Sequence, residues 1–233
     1  MASIKQEGSV WTIRNTKGNE LKVTSDGARV VSMRFRDKNF KNLFLLKDDA
    51  STVTVDGGND FANIAWQAEK LFEGVKFTAQ IGEKSATIIY SLSNDNEISI
   101  RYEATGIDDI STQLVFSADA LPEIDFRACQ KGAAWEKIDG AKNYPVTEPA
   151  EVMMEVGMFG YDPGCPIDYL EAGLKNAANL FCDAASVEFI IYATQNAIQA
   201  EPVDGGFAIK TSGSNAADGK LTAQTVYMIK NRK

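Results

Sequence analysis

Alternation with a period of two runs through most of this chain and restricts its fold more than any other feature. In residues 29–36, Val31, Met33 and Phe35 point one way while Ser32, Arg34 and Arg36 point the other. The same pattern recurs in 75–81, 86–92 and 98–104, with Phe77, Tyr90 and Tyr102 on the apolar side. Segments 111–118, 187–192, 206–211 and 221–230 are further candidate strands. Successive side chains of a strand point to opposite faces, so each segment is expected to be apolar on one face and solvated on the other. Between them lie Ser25-Asp26-Gly27, Asp56-Gly57-Gly58, Asp204-Gly205-Gly206 and Asp218-Gly219, residues that tolerate positive φ in tight turns. Short strands joined this way predict an all-β fold of antiparallel meanders packed as a sandwich.

Helical signal is sparse; 61–72 and 167–179 each have room for a turn or two. The stretch 121–164 breaks the alternation and carries Pro122, Pro145, Pro149 and Pro163. It is expected to form long loops crossing one end of the sandwich, where sites are commonly built. The flanking halves are too alike in strand content to stand apart, so residues 1–233 are expected to form a single β-sandwich domain.

The chain has no histidine among its 233 residues. That excludes Ser-His-Asp and Cys-His triads and the usual histidine-ligated metal sites. Neither a dinucleotide fingerprint nor a phosphate-binding loop is present, so no cofactor and no metal are expected. Asp-rich 56–60 lacks the ligand spacing of a known calcium loop. Three widely spaced cysteines, Cys129, Cys165 and Cys182, form no CxxC and are expected to be buried thiols.

The net charge of −8 opposes nucleic acid and anionic membrane as partners. No run reaches the ~18 apolar residues that a membrane span needs. Arg34, Arg36, Lys38 and Lys41 are read as the solvated edge of one strand. The N-terminal residues have neither the basic start nor the apolar core of a signal peptide, which leaves the compartment open between cytoplasm and a secreted mature form. Oligomeric state is likewise open.

The remaining chemistry belongs to carboxylates and aromatics. Glu148, Glu151, Glu155, Asp162, Asp168, Glu171 and Glu201 lie in the loop-rich half, where two acids can work as acid and base on a sugar bond. Trp66, Trp135, Tyr144, Phe159 and Tyr161 lie off the clean strand patterns, and an exposed ring can stack on a sugar. Trp11, Phe77, Tyr90 and Tyr102 are expected in the core.

Three stretches resemble the galactose mutarotase-like (aldose 1-epimerase) superfamily. They are 21–37 with its Gly27-Ala28 turn, 86–117, and 178–201 with Thr194 and Gln199 where that family often has Thr and Gln. The resemblance implies an antiparallel β-supersandwich, a histidine general acid, a glutamate general base and sugar-binding Asp, Arg and His residues. Here the acid has no counterpart, Lys220 in Asp218-Gly219-Lys220 stands where the glutamate is expected, and Tyr169 follows Asp168 where a histidine often does. The resemblance and its gaps together imply a catalytically degenerate, carbohydrate-binding domain, with no catalytic residues and with Trp66, Arg127, Trp135, Asp162, Asp168 and Glu201 as ligand contacts. The alternatives are a carboxylate-dependent sugar enzyme (isomerase, lyase or glycosidase) on the same scaffold, or a structural, protein-interaction subunit.

Overall fold

In the computed structural model, residues 3–128, 134–146, 173–213 and 216–231 are described, and they build three antiparallel sheets. The first is a meander of β1 (Ser3–Glu7), β2 (Val10–Arg14), β3 (Glu20–Thr24), β4 (Val30–Arg36) and β5 (Asn42–Phe44). The second has ten strands. Its path runs β13 (Glu136–Lys137), β12 (Asp125–Ala128), β15 (Lys175–Cys182), β16 (Val187–Ala193), β20 (Lys220–Asn231), β10 (Glu97–Thr105), β9 (Lys84–Leu92), β8 (Gly74–Ile81) and β7 (Gln67–Lys70), with β19 (Ala216–Ala217) against β20. The third is ordered β14 (Lys142–Pro145), β17 (Ala197–Val203), β18 (Gly206–Ser212), β11 (Ile110–Ser117) and β6 (Thr52–Val55). No helix of seven or more residues occurs among the described residues, and none is long and apolar enough to cross a membrane.

One apolar cluster joins the inner faces of all three sheets. Ile13, Leu21 and Phe35 come from the first sheet, Phe77, Ile88, Ile100, Phe189 and Tyr227 from the second, and Leu114, Phe116 and Ile209 from the third. Full burial of each such side chain stabilises by ~1.5–3 kcal/mol. Phe116 stacks on Phe207, with centroids 5.0 Å apart, and meets Phe189 edge-on at 5.1 Å. Trp11, Phe77, Tyr90 and Tyr102 are buried as expected. Ala28 turns at φ 47°, and its carbonyl accepts the buried Tyr90 hydroxyl at 2.6 Å, which pins the turn after β3 to the large sheet. Desolvation pushes the Tyr90 and Tyr102 hydroxyls well above the ordinary tyrosine range, so both stay protonated.

Several sequence expectations are corrected. In β4 the buried residue is Val30 and not Val31, because Lys22 pairs with Ser32 whereas Val23 pairs with Val30. Val31 is the extra residue of a β-bulge, which shifts the alternation by one. Residues 61–72 hold only a 3-10 turn, Phe61–Asn63, before β7, and 175–179 belong to β15 rather than a helix. The stretch 121–164 is not all loop, since β12, β13 and β14 lie in it at sheet margins. Arg34 is not a solvated edge residue: its side chain is 17% exposed and bonds Glu20 at 2.9 Å. Cys182 is a buried free thiol; Cys129 and Cys165 lie outside the described residues.

The second and third sheets are tied at one margin by a charged cluster. Lys142 of β14 bonds Glu136 of β13 at 2.5 Å and Asp139 at 3.1 Å, and the Tyr144 hydroxyl donates to the other Glu136 oxygen. Lys142 and then Tyr144 hold the Glu136 carboxyl below the usual range, while Lys142 is raised by the same contacts. Desolvation, followed by the bond to Glu136, pushes Tyr144 up to about 12. A depressed carboxyl contributes stability above its unfolded-state pKa and loses that contribution as pH falls through the folded value. Glu136→Gln is therefore expected to destabilise the fold at pH 7, and so to lower Tm, by less than about 1 kcal/mol of stability given solvent screening of a part-exposed pair. Melting both proteins between pH 7 and pH 3 checks this, because the gap should close on the acid side of pH ~4.5.

Candidate functional site

Alternation fixes which side chains leave the core of the ten-stranded sheet. Phe126 and Ala128 are buried inward, so Arg127 between them points to the opposite, outer face. Asn179 does the same between Ala178 and Leu180, and it pairs in register with Arg127. The row continues through Ile190 to Met228, and a neighbouring row runs Asn176, Tyr192, Val226, Ser99. Both Arg127 and Asn179 are at least nine-tenths buried despite facing away from the main core.

Leu174, Ile190, Tyr192, Val226 and Met228 form a second apolar cluster on this outer face, separate from the main core. Polar groups border it on both sides. Toward the sheet margin stand Arg127, Asn176 and Asn179; on the other side Gln224 donates to Ser99 Oγ at 2.8 Å. In the β12–β13 pair, Asp125 faces Lys137 and Phe126 faces Glu136. Trp135, 43% exposed, immediately precedes β13. Arg127, Asn176 and Asn179, each with interactions of its own, thus border a buried apolar cluster at one corner of the sheet.

Of the six contacts expected from sequence, Arg127 borders this cluster and Trp135 lies just before the neighbouring edge strand. Trp66 is not a contact: it is 4% exposed, its indole N–H donates to Phe61 O at 2.9 Å, and it packs on the Phe61 ring. Glu201 lies on β17 of the third sheet, next to the inward Ala200, and so faces out on the other side of the sandwich. Asp162 and Asp168 lie outside the described residues, as do Glu148, Glu151, Glu155, Phe159, Tyr161, Tyr169 and Glu171. Tyr144 bonds Glu136 and packs on Phe126 between the layers. Lys220 begins β20, eight residues from Met228, hence ~27 Å along the strand from the Arg127 row.

Sequence reasoning missed Asn176, Asn179 and the whole apolar cluster. The signal was present. Residues 189–193 and 226–229 are unbroken apolar runs, and a strand apolar on successive residues is buried on both faces.

Carboxylates of the described residues lie on this face as well. Asp125 and Glu188 share a row with Phe181 between them, two strands or ~9.6 Å apart. Lys137 neutralises Asp125 at 3.0 Å. No cluster of metal-ligating side chains occurs among the described residues.

No family model matches the chain, and no curated protein matches it in sequence. Solved structures do share its architecture. A GalM/aldose epimerase homologue from C. elegans aligns over 100% of both chains with a TM-score of 0.63 and 13% identity. A putative mutarotase, YeaD, from Salmonella typhimurium aligns over 99% of this chain and 94% of its own, with a TM-score of 0.58 and 12% identity. The Slr1438 protein of Synechocystis sp. PCC 6803 aligns over 100% and 96%, with a TM-score of 0.56 and 6% identity. The chain has a galactose mutarotase-like fold, at an identity that speaks for the fold alone.

Proposed function

We propose that this protein binds a carbohydrate on the outer face of its ten-stranded sheet, at the corner of Trp135, Arg127 and Asn179, without epimerising it. One observation carries the proposal: Trp135, 43% exposed, stands at the start of the edge strand beside Arg127's own strand. Sugars combine apolar C–H faces with hydroxyls that donate and accept, and an exposed indole near a polar sheet margin is complementary to them. The likeness to structures described as an aldose epimerase homologue and a putative mutarotase supports a sugar as the ligand.

The proposed lack of epimerisation is supported by the sequence itself. Ring opening needs a proton donor and a proton acceptor near their working pKa on either side of the sugar. The chain has no histidine, and at this corner Asp125 is neutralised by Lys137. Freshly dissolved α-anomers of galactose and glucose should therefore mutarotate at the buffer rate when the protein is added, as followed by polarimetry. Calorimetric titration of the same sugars should meanwhile show saturable binding. A rate rising in proportion to protein concentration would refute the degenerate reading, and no heat at millimolar sugar would refute the binding one.

A further inference from the structure

Five Asp-Gly pairs punctuate the chain: Asp26-Gly27, Asp56-Gly57, Asp139-Gly140, Asp204-Gly205 and Asp218-Gly219. Aspartate before glycine is chemically labile. The glycine nitrogen can attack the side-chain carboxyl carbon, because glycine has no Cβ to obstruct the approach. Ring closure requires a carboxyl free of partners, a nitrogen free to attack, and a backbone able to rotate out of its folded conformation. Partners that donate to a carboxylate also oppose the protonation that lets its oxygen leave.

Four of the pairs are held. Asp26 accepts the Ser9 hydroxyl at 2.8 Å, and the Gly27 N–H, the nucleophile of that pair, donates to the Ile64 carbonyl at 2.8 Å. Asp56 Oδ1 accepts the N–H groups of Asp108 and Asp109 at 2.9 and 3.0 Å, while Oδ2 bonds Lys84 at 2.6 Å. Asp139 bonds Lys142 at 3.1 Å. Lys47 reaches the Asp204 carbonyl at 2.5 Å and its carboxylate at 3.4 Å, in a turn between the seven-residue strands β17 and β18.

Asp218 differs on every count. It is exposed, and its carboxylate has no hydrogen bond or ion pair among the described residues. The Gly219 N–H donates to no backbone acceptor in the turn; Gly219 O alone is engaged there, by Gly106 N at 2.9 Å. Both residues have left-handed φ, 52° and 69°, so the turn must open before the ring can close. Opening breaks little, since β19 is two residues long and pairs only Ala216 with Leu221 and Ala217 with Lys220.

We propose that Asp218 is the site at which this protein forms isoaspartate, which makes the turn a substrate for enzymes that methylate isoaspartyl carboxylates. Gly219 N bonds to Asp218 Cγ, and the hydroxyl of the protonated carboxyl leaves as water with the amide hydrogen. The succinimide then takes up water at either carbonyl. One route returns aspartate; the other gives isoaspartate, whose main chain runs through the side-chain carboxyl. Composition is unchanged and nothing is oxidised or reduced.

The test ages the full-length native protein in mildly acidic buffer well below its Tm and digests it with trypsin, which puts the five pairs in five different peptides. Isoaspartate in each is read as a chromatographically separate form of unchanged mass, and by methyl transfer from labelled S-adenosylmethionine with an isoaspartyl methyltransferase. Peptide 211–220 is expected to carry more isoaspartate than the other four together. In urea-unfolded protein the five pairs should age at similar rates, so that the fold protects four of them and leaves Asp218 unprotected. Asp218→Glu, which can close only a slower six-membered ring, should remove the signal from 211–220. The inference is overturned if another peptide leads in the native protein, if Asp218 ages about tenfold or more slower folded than unfolded, or if the signal in 211–220 survives Asp218→Glu.

Discussion

Gly206→Ala is expected to lower Tm by roughly 6–20 °C, or to leave the protein insoluble. Gly206 begins β18 opposite Ser117, and a Cβ built on it would stand 1.9 Å from the Phe116 carbonyl oxygen. That oxygen is backbone, so relief requires β11 and β18 to part. Phe116 is also the aromatic hub between Phe189, Phe207 and Tyr227. Overpacking that breaks strand pairing in a core costs about 3–5 kcal/mol, and a chain of this size moves about 2–4 °C per kcal/mol. Gly219→Ala is the matched control. Its φ is +69°, but no atom lies within 4 Å of the added Cβ, so only left-handed strain of about 1 kcal/mol is expected. Differential scanning calorimetry of the two variants separates a steric wall from a conformational preference.

Arg127→Lys is expected to weaken sugar binding tenfold or more while the fold survives. Lysine keeps the charge, and its loss is the planar fork that can address two oxygens at once. Hydrogen bonds to charged groups contribute about 1.5–3 kcal/mol, and 1.4 kcal/mol is already a factor of ten. Arg127→Ala should abolish binding at millimolar sugar but also lower Tm, since Arg127 is 9% exposed and packed in the sheet. Glu201→Gln, on the third sheet, should change neither. Calorimetric titration of the three variants, each with its Tm, discriminates these outcomes.

The inner face of the sandwich was legible because one-sided burial writes a period-two pattern. Phe77, Ile88, Ile100 and Leu114 each fall where alternation puts them. The bulge at Val31 was not legible, because a register shift depends on the partner strand, and Lys22 and Val23 lie on β3. The outer face was hidden for a different reason. Ile190, Tyr192, Val226 and Met228 interleave with inward Phe189, Ile191 and Tyr227, and two apolar faces superimposed give no alternation. Trp66 was misread because it follows turn residues. Its polar edge is satisfied five residues back, at Phe61 O, a contact that pattern alone does not reveal. Arg127 was legible only as a charged residue in a proline-rich stretch; its partner Asn179 comes from a strand fifty-two residues later in the chain.

Lys220 shows where the resemblance reached its limit. Its place after an Asp-Gly turn suggests the family's general base, yet it stands at the far end of β20 from Arg127. The absence of histidine from the chain is the firmer support for the proposed lack of epimerase activity.

The most direct measurement is a ¹H–¹⁵N titration of the labelled protein with galactose, glucose, mannose and N-acetylglucosamine. A sugar bound at the proposed corner should shift the Trp135 indole, the Asn176 and Asn179 carboxamides and the Arg127 backbone amide along one saturation curve. The Glu201 and Phe40 amides should stay still. Saturable shifts that centre elsewhere, or a spectrum unchanged at 50 mM of every sugar (on the order of −1.8 kcal/mol of binding or weaker), would contradict binding at this corner.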